Sequence, residues 1–127
     1  MKRLVLTALF MLFILTGCVY DRGIILFSNQ PITASNVPTE EHTFNAGERI
    51  YYLFIAPKKM DNKYIRVQVF KYKDNAVVRT KDFRLMKDER YYHSDYFVFH
   101  EAGIYLMQVF STDDLQHPLS VGEFHIK

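Results

Sequence analysis

The sequence predicts an all-β fold, a sandwich of seven or eight short antiparallel strands. After residue 41, apolar and polar residues alternate with a period of two in several segments, and the helical period of 3.6 is absent there. Turn-forming residues separate these segments at regular spacing, which is typical of antiparallel sheets packed face to face. The 11 Phe and 9 Tyr supply large side chains for a single core.

Three segments show how the strands are expected to be arranged. Residues 49–56 are apolar at nearly every position, which indicates a central strand. Residues 64–73 alternate, so one face of that strand is expected to enter the core. Residues 76–85 are rich in Lys and Arg, which discourage further pairing and indicate an edge strand. Further strands are predicted at 91–99, 104–111 and 120–126.

The segment before residue 42 is less regular. Residues 24–27 form a short apolar run that is either a first strand or a membrane-proximal stretch. Residues 28–41 are polar and contain two prolines, which is typical of a tether or an irregular crossing segment. We therefore assign the sandwich to residues 42–127 and a tether to residues 18–41, with the first strand left open.

The first eighteen residues have the pattern of an export signal. Two basic residues precede the apolar run 4–15, which is shorter than the roughly 20 residues of a membrane span. Leu-Thr-Gly at 15–17 stands directly before Cys18, the only cysteine. These four residues resemble the lipobox of bacterial lipoproteins, so residues 1–17 are expected to be a cleaved signal peptide. The alternative is a plain secretory signal with a chance cysteine.

The lipoprotein resemblance also implies how the mature chain is held. In that family the cysteine becomes the first residue and carries a diacylglycerol and an N-acyl chain such as palmitate. These chains on Cys18 would anchor the protein permanently, because two lipid signals suffice for stable attachment. Val19 follows the cysteine. An aspartate there favours inner-membrane retention in enterobacteria, so we expect a cell-envelope location facing the periplasm or exterior, on the outer membrane where the host has one.

Composition limits the kind of domain and partner. Cleavage would leave 127 − 17 = 110 residues, enough for one core, and with its only thiol lipidated that core must hold by packing. The mature chain has 16 − 2 = 14 basic and 14 acidic side chains, yet residues 49–90 carry twelve basic against five acidic, a net of +7. This segment is either a set of solvated faces or a basic face for an anionic partner. Nucleic acid is not expected as a partner of an anchored, exported protein.

A motif near the C-terminal end is more specific. Glu101, Gly103 and Tyr105 resemble the penultimate strand of immunoglobulin-like domains. The resemblance implies that the Tyr105 ring packs inward, with its hydroxyl bonded to the backbone upstream, and that Gly103 supplies a permissive backbone. Met107 stands where that family often has its second disulfide cysteine, and Val67 replaces the usual tryptophan. The resemblance is thus to the sandwich architecture and not to antibody domains.

One face of the predicted strand 64–73 is a candidate binding surface. The core-facing residues are expected to be Ile65, Val67 and Val69. The opposite face then lies outside and carries Tyr64, Arg66, Gln68, Phe70 and Tyr72. Tyr and Arg are enriched at binding hot spots, so this face predicts partner binding. The alternatives are ordinary outward aromatics, cover by the tether, or a bulge that turns Phe70 inward.

A histidine pair is the other candidate site. His93 and Asp95 lie two apart on a predicted strand, so they share a face and could supply two metal ligands. A third would have to come from His100 or His125. The plain alternative is a pair of polar residues on a half-exposed strand, so no metal or other cofactor is expected. Ser94 points away from His93, and no nucleophile motif or phosphate-binding glycine loop occurs, so an enzyme is not expected.

These features together predict a lipid-anchored, extracytoplasmic protein that is a non-catalytic binding or accessory module for an envelope protein or glycan. The alternative is a small periplasmic carrier of a ligand or metal that uses His93 and Asp95. A third possibility is a structural component whose edge strand 76–85 pairs with a neighbouring protein. Fold-level analogy does not choose among them.

The lipobox makes a direct prediction. Cys18→Ser should abolish acylation and release the protein from the membrane fraction, because the thiol is the attachment point for lipid. Intact-mass spectrometry of wild-type protein from washed membranes should give a chain that starts at Cys18 and carries acyl chains. Wild-type protein recovered from culture fluid with an unmodified thiol would contradict the lipoprotein assignment.

Overall fold

The computed structural model describes residues 22–36 and 42–127, so the predicted signal peptide and Cys18 lie outside the described residues. Nine strands and no helix occur in the described ranges. They are β1 (Ile24–Ser28), β2 (Thr43–Phe44), β3 (Arg49–Ile55), β4 (Tyr64–Lys71), β5 (Ala76–Arg84), β6 (Met86–Lys87), β7 (Tyr91–Val98), β8 (Gly103–Ser111) and β9 (Ser120–Ile126). A helix that could cross a membrane is not found in this part of the chain.

The strands form two sheets that pack together as a β-sandwich, which confirms the predicted all-β class. One sheet has four strands in the order β1-β3-β7-β6, and the other has five in the order β2-β9-β8-β4-β5. Every pairing is antiparallel except that of β2 with β9, which is parallel. Consecutive strands such as β3 and β4 therefore lie in different sheets, and the chain crosses between the sheets repeatedly.

Sequence periodicity located the principal strands correctly. Strand β3 lies between β1 and β7, the central place that its apolar pattern predicts. On β4 the alternate residues Ile65, Val67 and Val69 are buried, as expected. The charged strand β5 lies at the edge of the five-stranded sheet. The alternation on β4 arises because a strand with one face in the core must bury every second side chain.

The short run at residues 24–27 is a strand of the sandwich. Strand β1 pairs with β3, with Ile24 opposite Ile55. Phe27 is 3% exposed, and its ring centroid lies 5.2 Å from that of Phe124 on the other sheet. Gly122 provides the room, since a Cβ there would lie 2.8 Å from the Phe27 ring. The sandwich therefore extends to the N-terminal side of residue 42.

Two short strands were not predicted from the sequence. Strands β2 and β6 have two residues each, too few to establish a period. The predicted segment 76–85 ends as a strand at Arg84. Leu85 is buried, and the chain then crosses to the four-stranded sheet as β6.

Stacked aromatic rings join the two sheets. Tyr52 and Phe97 of the four-stranded sheet stack at 4.5 Å, and Phe97 lies 6.3 Å from Phe124 of the other sheet. Phe124 in turn stacks on Tyr105 at 5.4 Å with an interplanar angle of 6°. Such rings bury large areas and add about 0.5–1.5 kcal/mol per pair beyond that burial. The core is thus held by ring packing.

The burial of Phe27 predicts that β1 is required for stability. Phe27→Ala should lower the free energy of unfolding by about 3–5 kcal/mol, because it leaves a cavity between the sheets. Urea unfolding monitored by tyrosine fluorescence measures the change. Ile24→Ala, on the same strand but exposed, is the matched control and should change stability by less than about 0.5 kcal/mol. Equal effects of the two substitutions would contradict the packing described for β1.

Candidate functional site

The predicted binding residues lie on the outer face of the five-stranded sheet. Tyr64 is 49% exposed, and Arg66 and Phe70 are partly exposed along the same face of β4. Tyr72 lies just beyond the end of β4 and is 60% exposed, with its N–H donating to the carbonyl of Ile104 at 2.9 Å. The four side chains that the sequence selected therefore point to one side of the sandwich.

An irregularity in β4 does not turn Phe70 into the core. The register of β4 with β5 shifts between Val69 and Phe70. The register with β8 continues without a break, so Val69 faces the buried Met107 and Phe70 faces Leu106. Because Val69 remains inward, Phe70 remains on the outer face.

Arg66 is not free to meet a partner's carboxylate, because it is already paired. Its Nε lies 2.7 Å from Oδ1 of Asp82 on β5, and its Nη2 lies 3.1 Å from Oδ2. This two-point hydrogen bond lowers the pKa of Asp82 and raises that of Arg66. The pair joins β4 to β5 across the outer face of the sheet.

Strands β8 and β9 extend the same surface with apolar side chains. Ile104 and Val121 are exposed on it, and Gln68 and Gln108 face each other near its centre. We name this surface the aromatic face and define it by Tyr64, Arg66, Phe70, Tyr72, Ile104 and Val121. Ile104 and Val121 were missed from the sequence because their place on this face depends on strand pairing.

His93 is buried and has a protein partner. It is 5% exposed, its Nε2 lies 2.8 Å from the hydroxyl of Tyr52, and its ring lies 3.9 Å from that of Phe83. Burial lowers the pKa of His93 to about 4, against a smaller opposing effect of Asp95, so the ring is neutral at pH 7. Burial also raises the pKa of Tyr52. The alternative of a half-exposed polar pair is therefore wrong for His93.

Asp95 shares the inner face of β7 with His93, as predicted, but no third ligand joins them. Asp95 borders a cavity of about 80 Å³ between β5 and β7, together with Arg79 and Lys81. Within residues 22–36 and 42–127, no three side chains of the His, Cys, Asp or Glu type converge as a metal site would need. The positive charge of the nearby Lys81 also disfavours a second positive charge on the His93 ring, which lowers the pKa of His93.

The Tyr105 corner has the geometry that the sequence motif implies. The Tyr105 ring is buried, and its hydroxyl donates to the carbonyl of Glu101 at 2.7 Å. Gly103 has a φ of +152°, which favours glycine, and a Cβ there would lie 3.2 Å from Cε of Lys71. The Lys71 ammonium pairs with the Glu101 carboxylate. Glu101 therefore accepts a hydrogen bond from Tyr105 through its backbone carbonyl and forms an ion pair with Lys71 through its side chain.

Comparison with known proteins adds no assignment. No protein-family model matches the chain, and a search of curated proteins finds no significant relative.

The burial of His93 predicts a specific acid sensitivity. Its folded-state pKa lies below 6.5, so the unfolded chain binds more protons between pH 6.5 and about 4. The free energy of unfolding should thus be fully retained above pH 6.5 and fall by on the order of 2 kcal/mol as the pH drops through this window.

Chemical denaturation at a series of pH values tests this behaviour. His93→Gln cannot titrate yet can still bond the Tyr52 hydroxyl, so its stability should change less between pH 6.5 and 4. His100→Gln, at an exposed histidine, is the control and should keep the wild-type slope. An unchanged slope in His93→Gln would show that His93 is not the responsible group.

Proposed function

We propose that this chain is an immunoglobulin-like lipoprotein of the bacterial cell envelope that binds another envelope protein through the aromatic face, without catalysis. The anchor is proposed from the lipobox at residues 15–18 and the lipid expected on Cys18. The location follows from it: a membrane surface facing the periplasm or exterior, with the outer membrane favoured in a host that has one.

The strand order supports the immunoglobulin-like part of the proposal. Immunoglobulin-like sandwiches place strands A, B, E and D in one sheet and G, F and C in the other, with C′ beside C in the variable type. The order β1-β3-β7-β6 corresponds to A-B-E-D, and β9-β8-β4-β5 corresponds to G-F-C-C′. Tyr105 then lies on the F-equivalent strand, two residues before Met107, and the buried Val67 of the C-equivalent strand lies opposite Val109 of the F-equivalent strand.

The exposure of apolar and aromatic side chains on one sheet face carries the binding proposal. Tyr64, Tyr72, Ile104 and Val121 are all exposed there, although a sandwich of this size could have placed polar residues at each position. Aromatic side chains and Arg are enriched in the cores of protein interfaces, and charged residues are depleted there.

Charge pairing on this face favours a protein over a phosphorylated glycan. Arg66 is neutralised by Asp82 on the neighbouring strand. Pairing of Arg66 therefore leaves less positive charge for an anionic sugar chain, whereas the exposed apolar side chains suit a protein surface. Binding to an envelope glycan is the other outcome that the experiment below can return.

The carrier alternative has less support from geometry. Ligand pockets usually enclose about 300–1,000 Å³. The cavity beside His93 and Asp95 holds about 80 Å³, and the Nε2 atom of His93 is engaged by Tyr52. These two residues are better explained by packing against Tyr52 than by capture of a ligand or metal.

The proposal predicts which surface a partner contacts. The triple variant Tyr64→Ala, Arg66→Ala, Tyr72→Ala should remove the partner captured by wild-type protein on crosslinking in native membranes, because hot-spot residues carry most of the binding energy. Loss of each such residue costs about 2 kcal/mol or more, so affinity should fall at least tenfold.

A matched control lies on the opposite sheet. Arg49, Tyr51 and Tyr96 form a similar cluster there, with the Arg49 guanidinium 4.8 Å from the Tyr96 ring centroid. Their triple alanine variant removes the same residue types and should keep the partner. Thermal unfolding must show that both variants fold. Capture that is unchanged by the first triple, or lost equally in both, would refute the aromatic face as the binding surface.

A further inference from the structure

A second surface, at one end of the sandwich, carries concentrated positive charge. A cavity of about 400 Å³ opens there, within the size range of small-molecule sites. We name it the basic pocket and define it by its lining residues: Lys63, Arg84, Leu85, Met86, Lys87 and Tyr91. It adjoins the aromatic face at Arg84, which lies opposite Tyr64, and it shares no lining residue with the small cavity beside Asp95.

Strand pairing brings the three cations together from three parts of the chain. The N–H of Leu85 donates to the carbonyl of Lys63 at 2.8 Å, which places the end of β5 against the start of β4. Lys87 on β6 pairs with Tyr91 on β7. Backbone hydrogen bonds thus fix the positions of the pocket walls, and the long cationic side chains reach across them.

Two cations of the pocket, Lys63 and Lys87, lie near the same aromatic ring. The Lys63 ammonium lies 4.1 Å from the Tyr91 ring centroid and donates to the Met60 carbonyl at 2.6 Å. The Lys87 ammonium lies 5.2 Å from the same ring. Among the described residues, no carboxylate forms an ion pair with either lysine or with Arg84. Elsewhere on the same sheet, by contrast, Arg66 and Lys71 are paired.

We propose that the basic pocket binds a phosphate group. A guanidinium offers two parallel N–H donors to phosphate oxygens, and ammonium groups add point charges that favour the negative charge of a phosphate ester or of free phosphate. A bound phosphate would relieve the mutual repulsion of Lys63, Arg84 and Lys87. The apolar wall made by Leu85, Met86 and the Tyr91 ring would contact whatever group carries the phosphate.

The position of the pocket suggests one source of that phosphate. Ile24 of β1 lies opposite Ile55, Ile55 lies opposite Tyr92, and Tyr92 is next to the pocket residue Tyr91. Cys18 precedes Ile24 by 24 − 18 = 6 residues, which span at most about 20 Å. If Cys18 is lipidated, a step that rests on the proposed function, the pocket lies within reach of phospholipid headgroups. A soluble phosphorylated ligand has the same chemistry and is the other source.

Phosphate titration of the purified, lipidated protein in a non-ionic detergent tests the pocket itself. At constant ionic strength, inorganic phosphate replacing chloride should raise the Tm saturably by about 5 °C. The variant Lys63→Gln, Arg84→Gln, Lys87→Gln should weaken the apparent affinity at least about tenfold. The control Arg49→Gln, Lys73→Gln, Lys127→Gln removes three charges at the other end of the sandwich and should respond as wild type does.

The result that overturns the proposal is the absence of a saturable rise in wild type, or an equal rise in both variants. The comparison uses ligand-induced shifts, so a different starting Tm in a variant does not affect it. Mass spectrometry of Cys18 is read separately. A bare thiol would refute the proposed anchor while leaving the phosphate titration to judge the pocket.

A second arm identifies the source. The lipidated protein is placed either in a non-ionic detergent or in bilayers of phosphatidylglycerol, both free of inorganic phosphate, and its lysines are acetylated. Slower acetylation of Lys63 and Lys87 with phosphatidylglycerol, relative to Lys73, assigns the site to anionic headgroups. A saturable Tm rise with phosphate but no such protection assigns it to a soluble phosphorylated ligand.

Discussion

The stack of rings from Tyr52 through Phe97 and Phe124 to Tyr105 is the interaction on which the sandwich depends. Described residues 22–36 and 42–127 contain no cysteine, so ring packing must supply the cross-sheet connection that a disulfide gives many sandwiches of this size. Each end of the stack is a tyrosine whose hydroxyl is satisfied, by His93 at one end and by the Glu101 carbonyl at the other. These directional bonds give the stack a defined position that apolar packing alone would leave less well specified.

The stack of rings also explains why His93, the candidate metal ligand on the inner face of β7, has a structural role. A histidine on an inward position of β7 must lie among rings, and there its neutral form is favoured because burial penalises charge. Tyr52 supplies the partner that a buried ring nitrogen requires. The chemistry that His93 could otherwise offer is therefore used within the core, while surfaces available to other molecules lie on the outer face and at the ends of the sandwich.

Much of the fold follows from single segments of sequence, and most of the site does not. The central position of β3, the inward face of β4 and the exposed edge at β5 each follow from periodicity or charge within one strand. The pairing of Arg66 with Asp82 depends on the register of two strands, which shifts between Val69 and Phe70. Local patterns carry no information about such a shift.

The same reasoning applies to surfaces assembled from several segments. The basic pocket combines residues from the start of β4, the end of β5 and two neighbouring strands. The excess of Lys and Arg over residues 49–90 can be read from the sequence. The gathering of some of these cations at one end of the sandwich depends on the fold. The short strand β6, which carries Lys87, has too few residues to be recognised from sequence.

The cations on the inner side of β5 have a consequence for neighbouring copies. Arg79 and Lys81 lie opposite Val69 and Val67 and border the cavity beside Asp95, so an edge strand directs charge toward the interior. Molecules confined to a lipid leaflet would collide frequently in two dimensions, and an open strand edge would invite them to join into ribbons. Two such edges brought together would bring four positive charges close to one another. This repulsion would oppose the pairing of neighbouring copies through β5.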